Sequence, residues 1–285
     1  MLSRARRRTL SFGLQTVLGL KQRGFFIPMR TAPAAAPWAA RSYAALHDIF
    51  AAAEPAFRAH LAAIEAHREA LLVLNGPPPE PRFDQTWFPR LDAAALYTLV
   101  RTRRPTRIVE VGSGHSTRFI ARAIRDGGLD TALTAIDPAP RADIAGLPLT
   151  LHRKTLQDVG LAPFASLAAG DLLFVDSSHV LMPGTDVDII LNQVLPGLPD
   201  GVIVGFHDIF LPAAYPDAWP FNVYNEQNAV APLLRSATLD FASAYVVAEM
   251  AAAFGESFIG RQPLKEGARE SLLLMTLGPR RGAGE

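Results

Sequence analysis

From Arg107 onward, short apolar runs alternate with segments of helical spacing, and this alternation constrains the fold more than any other feature. It predicts parallel strands with helices on both faces of the sheet, because parallel neighbours need a crossover connection that is usually a helix. The predicted strands are residues 107–111, 132–137, 149–152, 171–176, 202–207, 242–248 and 271–277. No helical pattern separates the last two, so we expect five parallel strands followed by a hairpin-like pair with one antiparallel strand. The predicted fold class is a doubly wound, seven-stranded mixed α/β sheet.

Helical patterns precede the sheet and fill its crossovers. They cover residues 43–74, 91–103, 116–125, 186–195 and 226–234, with a short element between 156 and 167. The first of them stops at Asn75-Gly76-Pro77, where glycine and proline end a helix. We therefore divide the chain into a basic, helical N-terminal extension (1–82), one domain (83–277) and a flexible Gly/Arg-rich tail (278–285).

The composition excludes several classes of function. Lys and Arg number 28 against 27 Asp and Glu, and this balance argues against a nucleic-acid partner, which a basic excess would favour. Cysteine is absent, which excludes disulfides, thiol catalysis and thiolate zinc sites. No apolar run approaches the roughly 18 residues of a membrane span.

Residues 4–27 form a basic segment with an amphipathic pattern. Leu10, Leu14, Val17 and Leu18 share one helix face, and four arginines precede them. We expect a cytoplasmic protein, and a basic amphipathic helix of this kind can lie on an anionic membrane surface at the inner face of the membrane. A helix packed on the domain or on a partner, a partly disordered basic tail, and a cleaved signal peptide are the alternatives. A Pro/Ala spacer follows at 31–37.

A glycine turn follows the first strand. Gly112, Ser113 and Gly114 let the backbone pass close to a ligand, and the next helix begins directly afterwards. Glu110 lies two residues before the first glycine, where a carboxylate repels a pyrophosphate and attracts an ammonium or sulfonium group. Thr117 occupies the third glycine position of the dinucleotide fingerprint. The turn therefore favours S-adenosylmethionine (SAM) over a nicotinamide dinucleotide.

Asp137 ends the second strand, where a carboxylate can accept hydrogen bonds from both ribose hydroxyls of a nucleoside. The adenine would then lie near the end of the third strand. Thr155, Gln157 and Asp158 are the candidates for contacting it.

The richest polar cluster follows the fourth and fifth strands. Asp176 and His179 follow one strand, and His207 and Asp208 follow the next. Because these strands are predicted to be parallel, all four residues reach the same edge of the sheet. A histidine there can take a hydroxyl proton, while Asp176 and Asp208 can ligate a divalent cation, with His207 as a further candidate. Orientation of a substrate without a metal is the alternative.

These motifs resemble the class I SAM-dependent methyltransferases, and more narrowly the methyltransferase domain 24 group, related to cephalosporin-hydroxylase-like and catechol O-methyltransferase-like enzymes. The resemblance covers about residues 83 to 277. It is carried by residues 110–117 (Glu-Val-Gly-Ser-Gly-His-Ser-Thr), 135–137, 174–179 and 207–212, and later by Tyr215-Pro216, Trp219 and residues 225–227. It implies a Rossmann-like fold and methyl transfer from SAM to a hydroxyl of a small molecule or glycan.

The resemblance implies that Asp137 contacts the ribose of SAM and that Asp176 lies where the site meets the cofactor. It also implies that the methionine part of SAM is contacted by Glu110, Gly112, Ser113 and Gly114. Metal-dependent catechol-type relatives hold Mg²⁺ with an aspartate at the position of Asp176 and an Asp-Asn pair where this chain has His207-Asp208, a departure that leaves magnesium open. Their lysine base stands three residues after the first aspartate. His179 has that spacing and is the implied base, with His207 and Asp208 orienting the acceptor.

Two functions of other classes stay open at this point. One is a nicotinamide-dependent oxidoreductase, and the other is a protein that binds SAM without catalysis or acts as a membrane-associated partner. The acceptor, the metal dependence, the oligomeric state and the role of residues 4–27 do not follow from the sequence.

Overall fold

The structure is a computed structural model that describes residues 4–25, 27, 30, 41–216 and 224–278. The chain divides into two compact units, Met1–Ala40 and Arg41–Glu285. The predicted spacer at 31–37, Trp219 and most of the predicted tail lie outside the described residues. Helix α1 (Arg4–Val17) confirms the N-terminal helical prediction. Among the described helices, none combines the length and the apolar character needed to cross a membrane.

The second unit is built on the predicted mixed sheet. Its strands are β1 (Arg107–Val111), β2 (Ala132–Ile136), β3 (Thr150–His152), β4 (Leu172–Val175), β5 (Ile203–Phe206), β6 (Ala237–Ala242) and β7 (Leu273–Leu277). Their order is β3-β2-β1-β4-β5-β7-β6. Strands β1 to β5 run parallel, and β7 is antiparallel to both β5 and β6. The order reverses between β1 and β4, so a ligand crevice is expected at their carboxyl ends. The fold-class prediction is confirmed.

The prediction for the sixth strand was wrong. Residues 242–248 were expected to be a strand, whereas β6 ends at Ala242 and a helix covers Ser243–Glu249. Two more short helices lie before β7, so the last two strands are not joined directly. The apolar run of residues 244–248 is too short for its spacing to distinguish a buried strand from a buried helix.

The helices are α1, α2 (Ala44–Ala66), α3 (Arg68–Leu72), α4 (Arg90–Arg103), α5 (His115–Asp126), α6 (Leu156–Val159), α7 (Asp186–Ile189), α8 (Glu226–Val230), α9 (Ser243–Glu249), α10 (Ala251–Glu256) and α11 (Phe258–Arg261). Helix α7 continues as a π-turn over Ile190–Val194 and a 3₁₀ turn over Leu195–Gly197. Helix α8 continues as a 3₁₀ turn over Ala231–Arg235, and Ala162–Phe164 forms another.

Helix α2 belongs to the same compact unit as the sheet. Its side chains Phe50, Phe57 and Ile64 are fully buried, and the Phe57 ring meets Phe241 of β6 edge-on with centroids 5.9 Å apart. The compact unit therefore begins at Arg41, whereas the predicted extension runs to residue 82. Burial of large apolar side chains, each contributing about 2 kcal/mol, explains why this segment packs against the sheet.

The turn after β1 requires glycine at one position. Gly112 has φ +83°, and a Cβ built there would lie 1.8 Å from the carbonyl oxygen of Asp176. This close approach brings the first strand's turn against the end of β4. A side chain at residue 112 would force the two strand ends apart.

We expect Gly112→Ala to lower the free energy of unfolding by about 3 kcal/mol through strain and overpacking. Gly170→Ala is the matched control, because Gly170 has φ +87° but open space where a Cβ would lie. That control should lose only about 1 kcal/mol. Urea unfolding of both variants measures the difference, and equal losses would contradict the steric role of the turn.

Candidate functional site

Two cavities lie at the carboxyl edge of the parallel strands. The larger, of about 820 Å³, is bordered by residues from the glycine turn, the strand ends and the segment before β7. The smaller, of about 460 Å³, is bordered by the glycine turn, the end of β2 and the segment after β3. Ser113, Arg141 and Asp176 border both cavities. Both volumes are within the range of small-molecule sites, and the two cavities meet at Asp176.

Asp137 is held against the glycine turn. Its Oδ2 accepts hydrogen bonds from the Ser113 backbone N–H at 2.7 Å and from the Ser113 hydroxyl at 3.0 Å, and its Oδ1 accepts one from the Ala139 N–H. The side chain also borders the smaller cavity. The structure thus brings Asp137 and the glycine turn together at the smaller cavity, and the ribose contact stays a prediction.

Of the three residues predicted to contact adenine, two border the smaller cavity. Thr155 and Gln157 border the smaller cavity. Asp158 does not border it, and its carboxylate accepts a hydrogen bond from the Thr155 hydroxyl at 2.7 Å in the first turn of α6. The first two residues stay candidates for contacting a base.

Glu110 lies away from both cavities. It is fully buried, and its two carboxylate oxygens accept hydrogen bonds from Ser116 at 2.6 Å and Thr117 at 2.7 Å. Burial raises the pKa of Glu110 to about 8, although these two hydrogen bonds favour the charged form. At neutral pH the group is therefore mostly uncharged. Its described contacts fix the turn to α5, and direct contact with a cofactor stays a prediction.

The four polar residues at the ends of β4 and β5 come together as predicted. The Nε2 atom of His179 lies 3.4 Å from Asp176 Oδ1 and 3.2 Å from Asp208 Oδ2. On the other side, His207 Nδ1 lies 3.5 Å from Asp176 Oδ1 and 3.3 Å from Asp208 Oδ1. Asp176, His179 and Asp208 each offer a ligand atom within 4.8 Å of the others, so the cluster fits a metal ion. Each aspartate thus lies between two imidazoles.

The sequence analysis missed two buried carboxylates, each of which bonds to the imidazole nitrogen that faces away from Asp176 and Asp208. Glu226 of α8 bonds to His179 Nδ1 at 2.8 Å, and Asp92 of α4 bonds to His207 Nε2 at 3.1 Å. Both carboxylates are completely buried. Asp92 was visible only as an acid in the first turn of a helix. Glu226 was part of the family-like stretch at residues 225–227, but no pattern assigned it a role.

Burial and ion pairing shift the pKa values of this cluster in opposite directions. Burial disfavours the charged ring of His179, but Asp176, Glu226 and Asp208 outweigh it and raise its pKa to about 10. The pKa of His207 is raised in the same way, above all by Asp208 and Asp176. Burial raises the pKa of Asp176, but the two imidazoles lower it by more, so the net pKa is well below its usual range. Without a cation, both rings are therefore protonated at neutral pH.

Strained backbone accompanies the cluster. His179 has φ 59° and Asp208 has φ 61°, both in the left-handed region that non-glycine residues rarely adopt. Such conformations cost about 1–3 kcal/mol each and are found preferentially at functional sites.

The members of the cluster differ in their access to the cavities. Asp176, His207 and Asp208 border the larger cavity. His179 borders neither cavity, and the ring of Tyr224 lies 4.6 Å from its own. The two carboxylates are partly exposed at the larger cavity, whereas His179 and His207 are both almost fully buried.

One protein family is similar to this part of the chain. Residues 109–209, which include the glycine turn, Asp137 and the whole β4–β5 cluster, match the family described as a methyltransferase domain. No curated protein matches the chain.

Several solved structures are similar to this chain at low identity. The O-methyltransferase TomG from Streptomyces achromogenes, in complex with SAM, is 21% identical over 77% of this chain and 90% of its own, with a TM-score of 0.41. The SAH-bound Podospora anserina methyltransferase PaMTH1 is 16% identical over 90% of this chain and 100% of its own, with a TM-score of 0.39. The O-methyltransferase from Bacillus cereus, in complex with SAH, is 14% identical over 76% and 90%, with a TM-score of 0.38.

We expect the stability contribution of Glu110 to depend on pH. An unfolded glutamate loses its proton near its ordinary pKa of 4.5, whereas folded Glu110 keeps it to about pH 8. This contribution is therefore complete below pH 4.5 and is lost as the pH rises through 8. Between pH 5 and pH 8.5, the free energy of unfolding should fall by up to about 4 kcal/mol more in the native protein than in Glu110→Gln.

Urea unfolding at the two pH values measures this difference. Glu69→Gln, at an exposed position of α3, is the control and should follow the native protein. Identical pH dependence in the native protein and Glu110→Gln would contradict the raised pKa.

Proposed function

Because residues 109–209 match a methyltransferase domain, we propose that this protein transfers a methyl group from SAM to a hydroxyl oxygen of a small molecule or sugar. The observation that carries the proposal is the meeting of the two cavities at Asp176. The smaller cavity offers nucleoside contacts, and the larger offers a polar cluster for an acceptor. A methyl donor in one would face a hydroxyl in the other.

The smaller cavity suits the cofactor. Asp137 would bind the ribose hydroxyls, and Thr155 and Gln157 would lie near the adenine. The backbone of Gly112, Ser113 and Gly114 would approach the methionine part, because the glycines remove the Cβ atoms from that side. Asp176 would face the sulfonium, whose positive charge a carboxylate favours. Asp176, rather than the uncharged Glu110, is then the charged group at the sulfur.

Transfer is an in-line displacement at the methyl carbon. The acceptor oxygen forms a bond to the methyl group as the carbon–sulfur bond breaks, so SAM leaves as S-adenosylhomocysteine (SAH). The hydroxyl proton would pass to His179 Nε2, and Glu226, bonded to Nδ1, would orient the ring and stabilise its charged form. His207 and Asp208 would orient the acceptor, because they border the larger cavity. Most of the acceleration would come from positioning.

Asp176 and Asp208, which form a candidate metal-binding group with His179, would hold a divalent cation. Such an ion, when bound, polarises the acceptor hydroxyl and makes its proton easier to remove. It would also offset the charge of the two carboxylates, which otherwise keep His179 protonated. A neutral His179 is the form that can accept a proton.

Binding and turnover separate this function from the two alternatives. Calorimetry should show SAH binding and no binding of NAD, since an oxidoreductase would give the reverse result. Methyl transfer from labelled SAM to a panel of hydroxylated aromatics and sugars should identify an acceptor. A protein that only binds the cofactor would show no turnover with any of them.

We expect His179→Ala and Asp137→Ala to have opposite effects. Loss of a general base should lower turnover by about 10²–10⁴-fold while SAH affinity stays nearly unchanged. Loss of a ribose contact should weaken SAH binding by at least about tenfold, since a charge-assisted hydrogen bond contributes about 1.5–3 kcal/mol. Full turnover in His179→Ala would refute the base assignment, and unchanged SAH affinity in Asp137→Ala would refute the ribose site.

We further propose that α1 binds an anionic membrane surface from the cytoplasm, where SAM is available. Eight of the 28 basic residues and none of the 27 acidic ones precede Asp48. Leu10, Leu14, Val17 and Leu18 are each more than half exposed. A basic helix with an exposed apolar face gains both lipid contact and electrostatic attraction at such a surface.

Vesicle sedimentation tests this contact. We expect the full chain to bind phosphatidylglycerol vesicles and not phosphatidylcholine vesicles, with binding weakened by salt. Leu14→Asp should abolish binding, whereas Arg58→Glu, at an exposed site on α2, should leave it unchanged. Equal binding to both kinds of vesicle, or to neither, would contradict the proposal.

A further inference from the structure

We infer that the acceptor of this protein carries an oxyanion, a carboxylate or a phosphate, and that Arg141 and Arg269 bind it at the larger cavity. The inference names the class of acceptor for the proposed methyl transfer and therefore rests on that function. It concerns the cations that border the cavity and not the cluster at the ends of β4 and β5. The two arginines would determine which hydroxylated molecules bind.

Two arginines border the larger cavity. Arg141 lies between β2 and β3, and Arg269 lies shortly before β7. Neither forms an ion pair with a carboxylate within residues 41–216 and 224–278. Glu270, the residue after Arg269, pairs with Arg90 at 2.9 Å instead. Because guanidinium groups bind carboxylates and phosphates through two parallel hydrogen bonds, an anionic ligand would supply the counter-charge that these side chains lack.

Arg141 is held in place for such a contact. The central carbon of its guanidinium lies 4.7 Å from the centre of the Trp87 ring, and its side chain hydrogen-bonds to the Tyr224 hydroxyl. Its backbone N–H donates to the Ser113 carbonyl oxygen at 3.2 Å. A side chain that is already ordered loses less conformational entropy when it binds a ligand. Trp87 and Tyr224 also border the larger cavity, so the ordered guanidinium stands beside space that an acceptor can occupy.

The start of α5 adds positive potential beside Arg141. A Cβ built on Gly114, the residue before this helix, would lie 3.6 Å from the Cβ of Arg141. His115, the first residue of α5, borders the larger cavity. Burial, and after it the charges of Arg118 and Arg82, lowers the pKa of His115 to about 4. Since the N-terminus of a helix is also partly positive, this part of the cavity attracts an anion.

Tyr224 connects these cations to the cluster. Its ring lies 4.6 Å from the His179 ring, and its hydroxyl bonds to Arg141. Asp176 and Asp208 border the same cavity. An acceptor whose oxyanion meets Arg141 would therefore extend toward the cluster, where its hydroxyl would face the methyl donor. The two aspartates would repel the oxyanion, so the charges favour this orientation over the reverse one.

The carboxylate of SAM is the rival ligand, because Arg141 borders both cavities. Arg269 borders the larger cavity but not the smaller one. We therefore expect the loss of the Arg269 charge to leave cofactor binding unchanged. That difference separates a site for the acceptor from a site for the cofactor.

Calorimetry on the full chain, with and without SAH, tests the class of acceptor with matched probes. Dihydroxybenzoate is compared with dihydroxybenzamide, and dihydroxyphenyl phosphate with dihydroxybenzene. We expect at least one of the two anions to bind at least about tenfold more tightly than its neutral partner, which lacks the charge-assisted contact. The anion that shows the larger preference identifies the oxyanion. Neutral probes that bind as tightly as both anions, or anions that do not bind at millimolar concentration, would overturn the inference.

Variants then identify the cations. Arg141→Gln and Arg269→Gln should each reduce the preference for the anion by about tenfold, and Arg269→Gln should leave SAH affinity unchanged. Arg235→Gln is the matched control, because Arg235 is exposed and borders neither cavity. It should keep both properties. If Arg141→Gln weakens SAH binding while both cavity variants keep the preference, the anion site belongs to the cofactor and the inference is wrong.

Failure of the proposed function would give a different result. Methyl transfer from labelled SAM to the same four probes measures that function directly. A preference for the anions without turnover of any probe would contradict methyl transfer and leave the anion site in place. Turnover of the neutral probes without any preference for the anions would support methyl transfer and refute the anion site.

Discussion

Charge compensation inside the protein is the constraint on which the site depends. Two imidazoles and two carboxylates, of Asp92 and Glu226, are buried beside the partly exposed Asp176 and Asp208, and a buried charge is tolerated only where it is paired and hydrogen-bonded. Each histidine therefore lies between the two aspartates, Asp176 and Asp208, on one side and a buried carboxylate on the other. Because Asp92 lies on α4 and Glu226 on α8, these pairs also connect the helix before the sheet and the helix after β5 to the strand ends. The same histidine–carboxylate pairs therefore form the candidate site and fix these two helices to the sheet.

The sequence predicted the parallel half of the sheet within one or two residues at each strand end. This succeeded because β1, β2, β4 and β5 are short, mostly apolar runs bounded by polar or turn residues and separated by segments of helical spacing, the pattern expected of buried parallel strands. It failed at residues 242–248, where an apolar run of similar composition continues as α9. Only the hydrogen bonding of β6 to β7 settles which residues form the strand.

The part of the candidate site that could be predicted from the sequence consists of residues that come directly after a strand. Asp137, Asp176, His179, His207 and Asp208 were all predicted by that rule, since carboxyl ends of parallel strands converge at one edge, and their roles stay predictions. Asp92 and Glu226 were not found, because they lie 115 and 47 residues from their histidines along the chain. For Glu110 the sequence predicted contact with a ligand, and this stays a prediction. What the sequence did not indicate is that the carboxylate accepts hydrogen bonds from Ser116 and Thr117 at the start of α5.

The position of β7 couples completion of the sheet to assembly of the site. This strand is inserted between β5 and β6, although it is the last strand along the chain. The two backbone amides that hold Asp92 belong to Ser271 and Leu272, immediately before β7 begins. Until that final segment docks, Asp92 lacks its backbone partners and His207 lacks a fixed anchor. The polar cluster is therefore fully organised only after the segment before β7, near the C-terminal end of the chain, has packed against Asp92 of α4.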